Sequence, residues 1–245
     1  MARLLTYNVH RCVGTDGRLD VGRVAAVIAA QAPDIVALQE LDVGRARTGH
    51  VHQAEALARR LDMAFHFNAA LRVEAELYGD AILTTLPERL IKAGALPGRP
   101  GQPWLESRGA LWVAVEIDGI ELQVINTHLG LVPREQRDQA KALAGLDWLG
   151  APERRDPVML VGDFNATALS GVYRTLSTGL TEARRLSPHG GRVPTFPSPS
   201  PVLAIDHVFV SAGLTVEWVR TPGDPLSRRA SDHRPLVVDF RPHRP

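Results

Sequence analysis

The sequence predicts an α/β protein with two packed β-sheets flanked by helices, and three observations carry that reading. Strand-like and helix-like segments alternate early in the chain and then give way to a run of strands with occasional helices. Hydrophobic residues make up 44% and charged residues 22% of 245 residues, enough apolar material for a sizeable core and too much for a disordered or fibrous chain. Neither G-x-G-x-x-G nor G-x-x-x-x-G-K-[ST] occurs, so neither a Rossmann dinucleotide site nor a P-loop is expected. One domain over residues 1–245 is the simplest organisation, because the strands on both sides of each long loop complete one pattern and no repeat is visible.

Residues 4–9 read as a buried strand whose tail, Asn8 and His10, is polar. A glycine-containing loop over 12–19 follows. Residues 21–30 then repeat apolar side chains at helical spacing, with Asp20 as the N-cap. Pro33 and Asp34 close that helix, and 35–39 is a second buried strand. A helix over 53–61 and strands over 63–68 and 79–83 come next, the last closed by Pro87. Closely spaced glycines and prolines make 94–107 a loop. Strands over 109–117 and 121–126 are joined at Asp118-Gly119, a compact hairpin signal. Residues 134–149 are helical, 157–161 is a strand, and the five prolines and three serines of 186–201 make a loop. Strands over 205–210, 216–219 and 236–240 complete the series.

Composition narrows the surroundings. Lys plus Arg is 28 and Asp plus Glu 27, a net charge of +1 that argues for no polyanion or membrane partner, although a local patch is still compatible with either. Lys92 and Lys141 are the only lysines. Cys12 is the only cysteine, so an intrachain disulfide and a cysteine-based zinc cluster are both excluded. The N-terminus runs straight into a strand without a signal-peptide pattern, and no apolar run reaches membrane-spanning length. A cytoplasmic location is the expectation, and nothing identifies a protein partner.

Polar groups at strand ends carry the functional signal. Asn8, Glu40, Asp80, His128, Asp163 with Asn165, and Asp232 with His233 each lie at the end of an apolar run or just before one. Hydrocarbon burial does not account for them. Strand ends meet at one edge of a sandwich, where oxygen ligands can hold a hard divalent cation. In Asp163-Phe164-Asn165, a turn can aim both polar side chains at one point while the ring anchors in the core. The matching chemistry is metal-assisted phosphoester hydrolysis. Glu40, with Asn8 nearby, would hold Mg²⁺ or Mn²⁺, an imidazole would donate to the phosphate, and a carboxylate would orient or deprotonate the attacking water. Zinc fits less well, because no His/Cys cluster has ligand spacing.

These residues resemble the endonuclease/exonuclease/phosphatase superfamily, the fold shared by DNase I, apurinic endonucleases, inositol polyphosphate 5-phosphatases and neutral sphingomyelinases. The resemblance spans residues 4–240. It rests on Thr6-Tyr7-Asn8-Val9, Leu38-Gln39-Glu40, Tyr78-Gly79-Asp80-Ala81-Ile82-Leu83, Asn126-Thr127-His128-Leu129, Gly162-Asp163-Phe164-Asn165, Ile205-Asp206-His207-Val208-Phe209-Val210 and Ser231-Asp232-His233-Arg234-Pro235. It implies a DNase I-like four-layer α/β/β/α sandwich with the site at one edge of the sheets. It further implies Glu40 as principal metal ligand with Asn8 close by, Asp163 on the water, Asn165 placing the phosphate, and His128 and His233 contacting it. Asp80 would pair with His128 and Asp206 with His233, and Asp232 would sit at the metal.

The resemblance defines the reaction better than the substrate. Glu40 is followed by Leu41-Asp42 rather than by the lysine usual in apurinic endonucleases, and the near absence of lysine is unlike inositol phosphatases. The pattern is most similar to compact bacterial metal-dependent hydrolases near the sphingomyelinase-like branch. The expectation is a phosphodiesterase or phosphatase on a small or lipid-derived phosphoester. The alternatives are a Mg²⁺-dependent DNA nuclease and a non-catalytic binding module of the same fold. Arg45 and Arg108 are candidate substrate contacts alongside Asn8. Arg45 shares its loop with Arg47, His50 and His52, and Trp104 and Phe196 are candidates for the rim of a pocket.

Overall fold

The computed structural model describes residues 1–99, 101–102, 104–189, 191 and 193–243. Its strands form two six-stranded mixed sheets. The first contains β1 (Ala2–Asn8), β2 (Ile35–Val43), β3 (Ala64–Val73), β4 (Glu76–Thr84), β11 (Leu214–Arg220) and β12 (Leu236–Pro242), in the order β11-β12-β1-β2-β4-β3. The second contains β5 (Glu88–Ala95), β6 (Gly109–Ile117), β7 (Ile120–His128), β8 (Val158–Asp163), β9 (Thr181–Glu182) and β10 (Asp206–Val210), in the order β5-β6-β7-β8-β10-β9. Each sheet has one parallel pair, β1–β2 in the first and β7–β8 in the second. Each of these pairs is joined through a helix, α1 (Val21–Ala29) for the first and α3 (Pro133–Ala144) for the second. Parallel neighbours require such a crossover.

Apolar alternation sends side chains to both faces of each sheet, and three cores result. The central core packs Leu4, Ala37 and Ile82 of the first sheet against Val113, Val124 and Val161 of the second. Val24, Ile28 and Leu57 of α1 and α2 (Gln53–Leu61) cover the outer face of the first sheet with Leu5, Val36 and Leu83. Ala140, Leu143, Val172 and Leu176 of α3 and α4 (Gly171–Leu176) cover the second, around Trp112, Ile125 and Leu160. The layers run α/β/β/α, as expected. Asp20 caps α1 by accepting from the Arg23 amide at 2.9 Å. Asp118 and Gly119 both have positive φ, 52° and 75°, which closes the β6–β7 hairpin as its sequence predicts. Among the described residues no helix is long and apolar enough to cross a membrane.

Several expectations are corrected. β5 is unforeseen, as are α4, β9 and the short α5 (Ala183–Leu186). The helix predicted over 134–149 stops at Ala144, where Gly145 takes an extended conformation (φ −83°, ψ −175°). The loop readings over 94–107 and 186–201 hold for their described residues apart from the ends of β5 and α5. Positions 100, 103, 190 and 192 within them lie outside the described residues.

Candidate active site

The two parallel pairs bring their carboxyl ends to the same edge of the sandwich. β1 and β2 deliver Asn8 and Glu40, and β7 and β8 deliver His128 and Asp163, which are register partners. Asp206, the first residue of β10, pairs antiparallel with Asp163. The segment entering β12 supplies Asp232 and His233, held there by Ser231 Oγ donating to the Asn8 carbonyl at 2.7 Å. A bulge in β2 between Leu38 and Leu41 lies opposite β4, and Glu40 takes a left-handed φ of 63°. The bulge lets β2 continue while Glu40 faces the edge. Asn165 (φ 49°) makes a second tight turn, its amide donating to Asp163 Oδ1 at 2.8 Å. Phe164 between them is fully buried, its ring 5.4 Å from that of Phe209.

The polar side chains converge. Asn8 Nδ2 donates to Glu40 Oε1 at 2.9 Å and to Asp163 Oδ2 at 3.0 Å, crossing from one sheet to the other. Asp163 Oδ2 lies 3.6 Å from both His128 Nε2 and His233 Nε2. His233 Nδ1 is 2.9 Å from Asp206 Oδ2, which also accepts from the Thr195 hydroxyl. Asn165 Nδ2 donates to the Leu129 carbonyl at 3.0 Å and approaches His128 Nε2 to 3.1 Å. Arg108 Nη1 lies 3.0 Å from His128 Nδ1 and donates to Glu106 Oε1 at 2.8 Å. Glu40, Glu106, Arg108, His128, Asp163, Asn165 and His233 border a cleft of about 330 Å³ whose wall also includes His10, Arg11, Arg47, Tyr78, Leu131 and Phe196. A larger and more apolar cavity of about 770 Å³ lies beside Tyr173, Leu203 and His207. Volume does not select the site; the convergence of acids and imidazoles does.

Burial and charge drive the two imidazoles apart. Desolvation would lower the His233 pKa, but Asp206 and Asp163 outweigh it and hold the imidazolium up to about 10. Desolvation, with the Arg108 charge added to it, pushes His128 well below its ordinary value. Burial, reinforced by Asp206, raises Asp163. Asp80 is pushed up to about 8 by burial, with Arg108 opposing.

Most of the predicted residues therefore meet, and three expectations change. Asp80 does not pair with His128: among the described residues the ring's hydrogen-bond contacts are Arg108 and Asn165, and Asp80 Oδ2 is buried without a partner. Arg45 does not line the cleft, because Glu76 on β4 draws it away at 3.4 Å. Its neighbour Arg47 lines the wall instead, gripped by both oxygens of buried Asp42 at 2.7 Å. Asn8 is 1% exposed and sits behind Glu40 and Asp163 rather than on the cleft wall. Arg108 does border the cleft, with 8% exposure. His52 caps α2 by accepting from the Glu55 amide, and exposed His50 contacts the Gly44 carbonyl, so neither belongs to the site. Phe196 packs at a tilt against His233, ring centres 4.9 Å apart, as a rim residue, whereas Trp104 is 73% exposed and outside the cleft wall.

Arg11 was not foreseen. It follows Asn8 by three residues in a turn where His10, Arg11 and Cys12 all have left-handed φ (45°, 55° and 57°), a costly conformation for side chains with a Cβ. Its Nη2 donates to His10 Nε2 at 2.7 Å, and it has no carboxylate partner among the described residues. The available signal was its nearness to Asn8.

Two sets of donors lie close enough together to serve a cation. Glu40 Oε1 and Asp163 Oδ2 face one point, both within hydrogen-bond reach of the same Asn8 nitrogen, and the Asp232 carboxylate borders the same cleft. An oxygen set of this kind suits a hard divalent ion. Asp163, Asp206 and His233 also place ligand atoms within 4.8 Å of one another. There, however, Asp206 and His233 are already engaged with each other.

Comparison with known proteins agrees with this architecture. The model of the Endonuclease/Exonuclease/phosphatase family matches residues 5–233. The chain is 25% identical to the uncharacterized protein YbhP of Escherichia coli K12, over 97% of this chain and 95% of that one. An endonuclease/exonuclease/phosphatase from Beutenbergia cavernae superposes with a TM-score of 0.78 at 24% identity, covering 99% of this chain and 72% of that one. A mannosyl-6-phosphatase from Bacteroides thetaiotaomicron superposes with a TM-score of 0.79 at 20% identity, covering 98% of this chain and 100% of that one.

Proposed function

The chain belongs to the endonuclease/exonuclease/phosphatase family, and from that premise we propose that it is a divalent-metal-dependent phosphoester hydrolase. In this reading it is a phosphodiesterase on a small or lipid-derived substrate, acting by in-line attack of water. One observation carries the reading: Glu40, Asp163, His128 and His233, which are far apart in sequence, face one small cleft at the carboxyl ends of two parallel strand pairs. The mannosyl-6-phosphatase likeness, at 20% identity, supports the fold and leaves the substrate to experiment.

Glu40, with Asp232 beside the cleft, would hold Mg²⁺ or Mn²⁺, and Asn8 would space the Glu40 and Asp163 carboxylates. The ion would polarise a non-bridging oxygen and offset charge on the leaving oxyanion. Asp163, raised by burial, would orient the attacking water and accept its proton. His233, kept protonated by Asp206, is a cationic donor to the phosphate. His128 and Asn165 donate from the other side of Asp163. Arg11 and Arg47 would hold the remainder of the substrate. Arg11 is the better candidate, because Arg47 is already neutralised by Asp42.

Turnover of bis(p-nitrophenyl) phosphate and p-nitrophenyl phosphate with and without Mg²⁺ or Mn²⁺ tests this. Metal-dependent turnover is expected, with Glu40→Gln lowering it by about 10²-fold or more. Undiminished metal-independent turnover in Glu40→Ala would refute the assignment. A panel of plasmid DNA, glycerophosphodiesters, sphingomyelin and sugar phosphates at fixed metal then selects the substrate. Cleavage of DNA with a steep fall in rate on adding salt would move the reading to a nuclease.

A further inference from the structure

His128 meets a guanidinium where the family resemblance implies an acid. A neutral imidazole has one N–H and one lone pair, whereas a guanidinium has donors only and keeps its proton. Arg108 Nη1, 3.0 Å from His128 Nδ1, therefore claims the lone pair on Nδ1. The proton of the neutral ring then lies on Nε2. Asn165 Nδ2 is 3.1 Å from that nitrogen, and its other N–H is engaged by the Leu129 carbonyl at 3.0 Å. Rotating the Asn165 amide by a half-turn would set its oxygen against the Leu129 oxygen. Two N–H donors consequently meet at the cleft, and the acceptors nearest the ring nitrogen, Asp163 Oδ2 at 3.6 Å and Glu40 Oε1 at 4.0 Å, lie beyond hydrogen-bond length. Protonating the ring offers no way out, since it would place an N–H against the guanidinium.

We propose that Arg108 is a positioning residue that fixes His128 as the neutral Nε2–H tautomer, so that His128 and Asn165 form a two-donor receptor for one anionic oxygen of the substrate. It takes the place of the carboxylate expected at Asp80. Asp80 keeps an unpartnered buried oxygen, and Arg108 is anchored instead by Glu106. The identity of the oxygen as a phosphate oxygen rests on the proposed function; the tautomer does not.

Nitrogen-15 NMR of the full-length protein labelled at histidine, without added metal or substrate at neutral pH, reads the tautomer directly. The His128 resonances are identified by their loss in His128→Gln. The expected result is a pyrrole-type Nε2 and a pyridine-type Nδ1. In Arg108→Met this preference is lost and kcat falls by about 10²-fold with KM changed much less, the scale of removing one preorganised donor. Arg108→Lys, which restores a cationic donor, recovers the tautomer and much of kcat. A wild-type His128 protonated at Nδ1, or at both nitrogens, overturns the proposal. So does an Arg108→Met protein that keeps the Nε2–H form in full. If the methionine variant does not fold, the wild-type and lysine spectra still decide. A protein that hydrolyses no phosphoester would remove the functional reading and leave the tautomer result standing.

Discussion

Two histidines 3.6 Å from the same carboxylate oxygen are set to opposite charge states by what lies behind them. Asp206 faces His233 Nδ1 and a guanidinium faces His128 Nδ1. Opposite charge favours the protonated form, whereas like charge and burial favour the neutral one. The pH dependence follows from that sign. His233 stays protonated up to about 10, so loss of its proton should limit kcat/KM only on the far alkaline side. Asp206→Asn removes the largest influence holding the proton while burial still opposes it, so the pKa falls and the alkaline limb moves to lower pH, by about 1–3 pH units. Profiles of kcat/KM for wild type and Asp206→Asn on one synthetic diester check this. An alkaline limb that does not move would show that His233 protonation plays no part. The same residues show what sequence could and could not reveal. Asp232-His233 is legible as an acid and a base just before a strand, whereas Asp206 enters only through the family resemblance. Which acid meets which imidazole depends on side-chain direction: Asp206 turns toward His233, while His207, the next residue on the strand, packs among Phe164, Tyr173 and Phe209.

Elements deliver these groups by small departures from regularity. The β2 bulge re-aims Glu40, and Gly162 permits the close approach that sets Asp163 beside His128. Gly162 has φ 137°, and a Cβ there would meet the Thr127 carbonyl oxygen at 1.9 Å across the parallel β7–β8 pair. Gly162→Ala must push β8 away from β7. A destabilisation of roughly 1–3 kcal/mol is expected from overpacking, with more from the backbone conformation. Turnover should fall more than stability alone explains, because Asp163 and His128 are the next register pair. Urea unfolding with parallel kinetics tests it, and a wild-type midpoint would refute it. Elements that broke pattern were also the ones sequence reading lost. β5 is an edge strand, half exposed, with a bulge between Leu90 and Lys92 that interrupts its alternation. α4 has six residues and α5 four, too short to show a helical period, and β9 has two. Continuous apolar strands such as β2 and β8 were legible because burial on both faces leaves an unbroken run.

At the scale of the molecule, two sheets must stay in one relative position for a site that spans both. A buried polar bridge beneath the cleft does this. Asn126 of β7 donates to the backbone carbonyls of Leu38 and Ala81 in the opposite sheet, each at 2.9 Å, and accepts from Gln39 Nε2 at 2.7 Å. Gln39 also reaches Thr6 Oγ1 at 3.0 Å, which joins β1 to the same network. Leu38 adjoins the β2 bulge, where regular pairing with β4 is interrupted, so the Asn126 amide stabilises backbone groups at the point where Glu40 departs from the strand. In the sequence, Asn126 reads only as the end of a strand and the start of the motif Asn126-Thr127-His128-Leu129. Its partners lie 88 and 45 residues away and depend on how the sheets face each other, which no local pattern encodes. Asn126→Leu, close in volume but unable to hydrogen-bond, would leave the two carbonyls and the Gln39 amide short of partners in the core. At about 1–3 kcal/mol per stranded group, and less than additively, the expected loss is roughly 3 kcal/mol or more. The urea midpoint should fall with its slope unchanged. Because the same bridge fixes Glu40 against His128, the folded fraction should also lose turnover. A variant with wild-type stability and activity would mean that the apolar core between the sheets holds their position without it.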